Sequence, residues 1–161
     1  MRKAIVSGAN GFVGSAVVKE LISQGYEVYA LVRENHYDQV PINEMVRIVP
    51  FSLENIEALG EVIPINEYEA FYHFAWNGSA GVDRADTALQ LKNAQWTVEC
   101  LQMAKRLGCK RFVPAGSIME HETIAAVYTQ GNRPGAGYIY GSGKVAAHMM
   151  CMSMAVKEGI D

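Results

Sequence analysis

Three glycines spaced three residues apart follow a short apolar stretch at the start of the chain. The stretch Ala4–Val6 predicts a buried strand, and Gly8, Gly11 and Gly14 follow it directly. Apolar residues at helical spacing begin at Val13, which indicates an amphipathic helix. Glycines permit a tight turn and a close approach of the backbone to phosphates, and the N-terminus of the helix attracts an anion. The glycine turn therefore predicts a site for the pyrophosphate of a dinucleotide.

Strand and helix patterns alternate along the rest of the chain. Further strands are predicted at 27–32, 45–50, 68–74 and 111–115, and helices near 54–59, 83–107 and 140–157. The polar stretch 33–43 suits a loop or a short helix, and 120–137, with Gly131, Asn132, Pro134, Gly135 and Gly137 near its end, suits a long loop. This alternation predicts an α/β fold with a doubly wound parallel sheet and helices on both faces.

Size and composition narrow the class of protein. A chain of 161 residues with half its residues apolar suits one globular domain. A net charge of −3 gives no basic footprint for nucleic acid, and no apolar run reaches the roughly 18 residues of a membrane span. Cys100, Cys109 and Cys151 lack the spacing of metal ligands or of a disulfide framework. We therefore expect a cytoplasmic protein with no bound metal, with Cys100 and Cys151 in its core.

Tyr140 and Lys144 are four residues apart at the start of the last predicted helix, so they lie one turn apart on one face. A tyrosine with a pKa of about 10 is a poor base at neutral pH, and a nearby ammonium favours its phenolate. Ser117 follows the fifth predicted strand at the edge where open parallel sheets bind ligands. Its hydroxyl suits either a substrate oxygen or the cap of a helix. Most Tyr and Lys residues four apart are surface neighbours, so on spacing alone these three residues are candidates for a catalytic set.

Five matching pieces make the chain resemble the N-terminal part of an extended short-chain dehydrogenase/reductase of the NAD-dependent epimerase/dehydratase family. In order, the pieces are Ser7–Gly14, His73–Trp76, Asn93, Gly116–Ser117 and Tyr140–Lys144. The resemblance implies a Rossmann-type sheet. It also implies that Tyr140 is the general acid/base, that Lys144 supports it and holds the nicotinamide ribose, and that Ser117 polarises the same oxygen. Asn93 would support the cofactor side, whereas His73 is interpreted as a structural histidine.

Two positions depart from the family pattern in the part that would bind the adenosine. Arg33 stands at the end of the second strand, where NAD-binding relatives carry an acidic residue, and an arginine suits a 2′-phosphate. Ser52 replaces an aspartate that would face the adenine. NADP is therefore the expected cofactor, with NAD as the alternative. The residues predicted to bind it are Gly8, Asn10, Gly11, Phe12, Val13, Gly14, Arg33, Phe74, Ala75, Asn93, Tyr140 and Lys144.

The chain is about half as long as members of this family, and the resemblance places the start of a sixth strand at Ile160–Asp161. We therefore expect a cofactor-binding domain over residues 1–161, shortened before that strand and lacking the substrate domain, although a naturally short protein is the alternative. The helices predicted at 83–107 and 140–157 are apolar around much of their circumference. Deep burial and a homodimer interface explain this equally well, and we expect a homodimer through these helices.

The predicted function is hydride transfer between a nicotinamide cofactor and a nucleotide-sugar, with Tyr140 exchanging the proton. Ketone reduction, C4 epimerisation and dehydration would use the same residues. A reductase of another carbonyl compound, a non-catalytic dinucleotide sensor and an inactive fragment are the alternatives. Glu120 and His121, which follow Ser117 where relatives often carry Tyr-Gly, either touch the substrate or lie in solvent.

Overall fold

Five parallel strands form one sheet at the centre of the computed structural model, which describes residues 1–129 and 135–161. The strands are β1 (Arg2–Ser7), β2 (Tyr26–Val32), β3 (Val46–Pro50), β4 (Ala70–His73) and β5 (Phe112–Pro114). Their spatial order is β3-β2-β1-β4-β5, and every neighbouring pair is parallel. The predicted α/β fold with a parallel sheet is confirmed.

The order of the strands reverses at β1, which lies between β2 and β4. Ser7, the last residue of β1, is in register with Leu31 of β2 and with His73 of β4. The chain leaves β1 toward one edge of the sheet and returns through β4 toward the other. This divergence leaves a crevice outside the carboxyl ends of β1 and β4, which is where open α/β sheets bind their ligands.

Helices cover both faces of the sheet. They are α1 (Phe12–Ser23), α2 (Leu59–Val62), α3 (Thr87–Leu107), α4 (Ile118–Val127) and α5 (Gly137–Glu158), with 3-10 segments at Leu53–Ala58 and Val82–Ala85. Alternate residues of β1 enter different cores: Ala4 and Val6 join the cluster under α1, and Ile5 joins the cluster under α3 and α5. The cysteines Cys100, Cys109 and Cys151 are all buried and unpaired.

The helix predicted from Asp83 to Leu107 is wrong at its beginning. The structure contains a separate 3-10 segment up to Ala85, and Asp86 caps α3 by accepting a hydrogen bond from the Leu89 backbone at 3.0 Å. An aspartate in extended conformation satisfies the free N–H groups of a helix that begins after it, so the chain turns at this point.

The long loop predicted over 120–137 is also wrong in part. Residues up to Val127 form α4, and α5 begins at Gly137, three residues before Tyr140. Ser117 and Glu120 form a capping box at the start of α4, which explains why a helix begins there. The predicted loop residues Gly131, Asn132 and Pro134 lie outside the described residues.

Asp161 forms backbone hydrogen bonds with the outer edge of β5. The Asp161 N–H donates to the Lys110 carbonyl at 3.1 Å, and the Asp161 carbonyl accepts from the Phe112 N–H at 2.7 Å. This is the hydrogen-bond pattern of one parallel bridge, at the position where the sequence predicts another strand. Within the described ranges, no helix is long and apolar enough to cross a membrane.

Candidate active site

The glycine turn lies against the segment that follows β4. Gly8 has a φ of +66°, and a Cβ at this position would lie 2.8 Å from the Ala75 nitrogen. A Cβ at Gly14 would overlap the backbone of Gly8, and the Gly11 N–H closes the turn by donating to the Gly8 carbonyl at 2.9 Å. The turn therefore depends on glycine both for its conformation and for close packing.

A groove of about 410 Å³ runs from this turn along the carboxyl ends of the strands. Of the predicted cofactor residues, the groove is lined by Gly8, Asn10, Gly11, Arg33, Phe74 and Ala75, and Ser52 lies beside Arg33 in the lining. Phe12 and Val13 are exposed at the start of α1, and neither they nor Gly14, Asn93, Tyr140 and Lys144 line the groove. Bare backbone at a helix N-terminus with an exposed cation at one end fits a dinucleotide.

A buried chain of hydrogen bonds fixes the floor of this groove. The Thr97 hydroxyl donates to the Asn93 carbonyl at 2.8 Å, so it must accept from His73 Nε2–H, 3.4 Å away. His73 Nδ1 then accepts from the Ser7 hydroxyl at 2.9 Å, and the Ser7 oxygen accepts from the Ala75 N–H at 3.4 Å. Hydrogen bonding thereby assigns one neutral tautomer to His73.

Burial lowers the pKa of His73 from 6.5 to about 3, with a smaller contribution from the Lys144 charge. Both ring nitrogens have partners, so the interpretation of His73 as a structural histidine is confirmed. The imidazole remains neutral at physiological pH and cannot serve as an acid in this setting.

Helix α3 holds the segment after β4 with two amide side chains. Asn93 accepts from the Asn77 N–H at 2.9 Å and donates to the Asn77 carbonyl at 2.7 Å. Gln90 accepts from Trp76 Nε1 at 2.9 Å and donates to the carbonyls of Gly78 and Asp83. Asn93 thus acts on the groove through the backbone of the segment 74–79 that lines it.

Tyr140 and Lys144 lie on successive turns of α5 and both contact the indole of Trp76. The rings of Tyr140 and Trp76 meet edge to face with centroids 6.0 Å apart, and Lys144 Nζ lies 3.7 Å from the centroid of Trp76. Trp76 also lines both the groove and a second cavity of about 430 Å³, which Lys144 and Ala115 share. The indole therefore joins the predicted proton-transfer residues to the groove.

Lys144 is buried, and its ammonium donates to the Ala115 carbonyl at 3.0 Å. Burial lowers the pKa of Lys144 from 10.5 to about 8, and the charge of Glu120 opposes this shift. The ammonium is consequently the major form at neutral pH, close to its titration range.

Ser117 serves as the N-cap of α4. Its Oγ accepts from the Met119 N–H at 3.2 Å, while its backbone N–H donates to Glu120 Oε1 at 2.7 Å. Accepting one hydrogen bond leaves the hydroxyl proton of Ser117 available for another acceptor. Glu120 Oε2 lies 2.7 Å from Nδ1 of His148 on α5, so Glu120 contacts residues on two helices, whereas His121 is exposed.

Sequence reasoning missed one cation beside Tyr140. The guanidinium carbon of Arg84, in the 3-10 segment before α3, lies 4.6 Å from the ring centroid of Tyr140. Arg84 Nε is buried and has no hydrogen-bond partner in the part of the chain that the structure describes. Nothing in the local sequence indicates this contact, because the two residues are 56 positions apart.

Two glycines between Tyr140 and Lys144 allow α5 to pack closely. A Cβ at Gly141 would overlap Thr123 Oγ1 of α4, and a Cβ at Gly143 would lie 3.0 Å from the Gln90 carbonyl of α3. The motif that carries Tyr140 and Lys144 is thus also the place where three helices meet.

Among the described residues, no group of three or more His, Cys, Asp and Glu side chains is arranged to hold a metal ion. The parallel sheet, the crevice at β1 and β4 and the glycine turn together define an α/β domain of the Rossmann type. The chain belongs to the NAD-dependent epimerase/dehydratase family, whose model matches residues 4–161. The predicted family is therefore confirmed.

Several known proteins are similar to this chain. A dTDP-6-deoxy-L-talose 4-dehydrogenase (NAD(+)) of Aggregatibacter actinomycetemcomitans is 29% identical over 119 residues, which cover 72% of this chain and 42% of that protein. The structure of a UDP-glucose 4-epimerase from Thermotoga maritima, solved with UDP-glucose, superposes with a TM-score of 0.76 at 21% identity. The match covers 98% of this chain and 52% of the chain in that structure.

A UDP-glucuronic acid 4-epimerase from Bacillus cereus, solved in complex with NAD, superposes with a TM-score of 0.68 at 17% identity. The match covers 98% of this chain and 54% of that one. At these identities the solved structures show the shared fold. The chain spans about half the length of the solved structures that it matches.

Proposed function

We propose that this chain is the cofactor-binding part, as one domain over residues 1–161, of a nicotinamide-dependent oxidoreductase or epimerase that acts on a nucleotide-sugar. The observation that carries the proposal is the arrangement of Tyr140 and Lys144 around Trp76, at the edge of the groove that suits a dinucleotide. A nicotinamide cofactor held in the groove would supply hydride transfer. The named activities of the similar proteins support a sugar bound to a nucleotide as the substrate class.

The side chains divide the remaining work between them. Tyr140 would exchange a proton with a hydroxyl or keto oxygen of the sugar, as general acid/base. The Lys144 ammonium would favour the phenolate through its positive charge and would hold the ribose of the cofactor. Ser117 would donate its free hydroxyl proton to the same substrate oxygen. Epimerisation, dehydration and ketone reduction all need these three roles.

The replacement Tyr140→Phe in the whole protein tests the mechanism. Turnover of a nucleotide-sugar should fall by about 10²-fold or more, because general acid/base catalysis contributes that much, while the affinity for the cofactor should change little. Tyr138→Phe and Tyr128→Phe are matched controls, since neither tyrosine has a lysine four residues later. Unchanged turnover in Tyr140→Phe would exclude this mechanism. Cofactor binding with no turnover in the whole wild-type protein would favour a sensor or an inactive fragment.

The Arg33 side chain supports NADP as the preferred cofactor, with NAD as the alternative. Arg33 is exposed and lines the groove together with Ser52. Neither residue carries a carboxylate that would repel a 2′-phosphate. Asn10 donates to the His36 carbonyl at 2.9 Å, which ties the turn after Arg33 to the glycine turn. Arg33→Asp should weaken NADP much more than NAD in calorimetric titration, and equal losses would remove the preference.

Helices α3 and α5 support a homodimer. Positions 145, 149, 152 and 156 share one face of α5, on which Met149, Met152 and Val156 are exposed. Leu91 is an exposed apolar residue on α3. Exposed apolar stripes of this kind are typical of an interface. Sedimentation should show a mass that rises with protein concentration in the wild type. Met149→Lys should abolish that rise, and Val62→Lys, at an exposed apolar residue on α2, should leave it unchanged.

A further inference from the structure

The carboxylate of Glu120 bridges the start of α4 and the middle of α5. One oxygen accepts from the backbone N–H of Ser117 at 2.7 Å, and the other lies 2.7 Å from Nδ1 of His148. His148 is one helical turn beyond Lys144. The side chains of Glu120, Lys144 and His148 all line the same cavity. A helix cap alone uses one carboxylate oxygen, and the second oxygen of Glu120 faces α5, the helix that carries Lys144.

We propose that Glu120 is a positioning residue of the reaction site, which fixes Ser117 through the helix cap and supplies the counter-charge of the Lys144 ammonium. This inference rests on the proposed function of Ser117 and Lys144. It gives Glu120 a role through its neighbours, without contact to the reacting atoms.

Among the described residues that line the cavity, Glu120 is the carboxylate left to serve as the counter-charge of Lys144. From β4, His73 faces the cavity as a buried neutral ring, and from α5, His148 lies against Glu120. Asp161, the other carboxylate in the lining, pairs with Arg111 at 3.0 Å. Arg84 stacks on Tyr140, which in turn contacts Trp76, and adds positive charge there. Glu120 has only 12% of its side chain exposed, so water screens its charge weakly.

The charge of Glu120 already acts in the expected direction, since it raises the pKa of Lys144 against the effect of burial. Removing that charge should make the ammonium lose its proton at a lower pH. Glutamine at the same position of a capping box can still accept from the Ser117 N–H. The replacement Glu120→Gln therefore removes the charge and keeps the cap.

The experiment follows Lys144 in the 161-residue chain by NMR of ¹³C-labelled lysine between pH 6 and pH 11, with Lys144→Met to assign its signal. The wild-type signal should titrate at about pH 8. In Glu120→Gln the midpoint should fall by about half a pH unit or more. Glu122→Gln is the matched control, because Glu122 is an exposed carboxylate on the same helix. His148→Gln leaves the Glu120 carboxylate in place and should leave the midpoint close to the wild-type value.

An unchanged or raised midpoint in a folded Glu120→Gln chain overturns the proposal and assigns Glu120 to the cap alone. An equal fall in Glu122→Gln also overturns it, because the effect would then come from total charge. Should Glu120→Gln fail to fold, Glu120→Asn removes the same charge with a shorter side chain and should give a similar fall, and no fall in that variant overturns the proposal.

A second measurement uses turnover in the whole protein. Glu120→Gln should move the alkaline limb of the kcat–pH profile to lower pH with little change in KM, as expected for a residue that acts through Lys144. The NMR titration needs neither substrate nor turnover. A missing shift therefore refutes the role of Glu120 alone, whereas normal turnover in Tyr140→Phe refutes the proposed function alone.

Discussion

The groove at the carboxyl ends of β1 and β4 differs in its chemical groups from the surroundings of Tyr140 on α5, which are called the Tyr140 region below. The groove rests on the backbone of the glycine turn and of the segment 74–79, which uncharged hydrogen bonds hold in place. The Tyr140 region is made of long side chains, with cations on aromatic rings and a carboxylate between two helices. A binding surface of backbone can come from one local motif, whereas a reaction site of charged side chains needs several elements to dock first.

The largest expected effect tests whether the groove depends on the neutral His73. Its pKa is about 3 in the folded chain and about 6.5 in an unfolded one, so the unfolded chain takes up the proton first. Stability is therefore full above pH 6.5 and is lost as the pH falls toward 3, by about 5 kcal/mol in total. Urea unfolding at several pH values should show this loss, and His73→Gln should remove most of it.

His36→Gln, at an exposed histidine, is the control for that loss and should keep the wild-type acid sensitivity. Equal acid sensitivity in His73→Gln would mean that the groove is not held by a neutral network. The contrast between the two regions would then disappear.

The second effect tests the close packing of the glycine turn. Gly14→Ala should reduce the free energy of unfolding by about 3 kcal/mol or more and abolish cofactor binding, because its Cβ would overlap the Gly8 backbone. Gly60→Ala is the matched control on α2, where a Cβ would make only ordinary contacts. This replacement should raise the free energy of unfolding slightly. Denaturant unfolding and cofactor titration check both variants. Normal binding by Gly14→Ala would show that the groove tolerates movement of its backbone.

The third effect has the opposite sign and belongs to the Tyr140 region. Lys144→Met should raise the stability by about 1 kcal/mol at pH 7, since it removes a buried charge at the cost of one hydrogen bond and one cation–π contact. The pKa of Lys144 is lower in the folded chain, so the unfolded chain keeps the proton between pH 8 and 10.5. The wild type therefore gains stability over that range, and the advantage of the variant should shrink there. A loss of stability at pH 7 would contradict the inference that the buried charge of Lys144 destabilises the folded chain.

The smallest effect concerns Arg84, which stacks on Tyr140. Arg84→Gln should cost about 0.5–1 kcal/mol of unfolding free energy, the usual size of a cation–π contact near the surface. Arg106→Gln, which breaks an exposed ion pair with Glu57, should cost no more than this. A loss of several kcal/mol in Arg84→Gln would show that Arg84 is a structural support of α5 as well as a neighbour of Tyr140.

The elements with local signals could be predicted from the sequence. The strands, the glycine turn and the one-turn spacing of Tyr140 and Lys144 each depend on residues close in the chain. Arg33 and Ser52 line the same groove, because the parallel strands β2 and β3 end at one edge of the sheet. The helix α4 carried a readable signal too, since Ser117 and Glu120 have capping-box spacing.

The rest depends on contacts between elements that are far apart in the chain. Trp76 between Tyr140 and Lys144, Arg84 on the ring of Tyr140 and Glu120 against His148 join side chains from four different segments. Spacing within one helix or strand says nothing about such pairs. Only the docking of α3, α4 and α5 brings them together.

Gly141 and Gly143 have a consequence for the order of folding. Each glycine in a helix interior costs about 1 kcal/mol relative to alanine, so the turn of α5 between Tyr140 and Lys144 is a weak helix by itself. Its stability must come from the close contacts with Thr123 and Gln90 that the two glycines allow. We expect the amide protons of 140–144 to exchange only through global unfolding, in one cooperative step with α3 and α4. Tyr140 and Lys144 would then reach their native positions in the same step in which the three helices pack together.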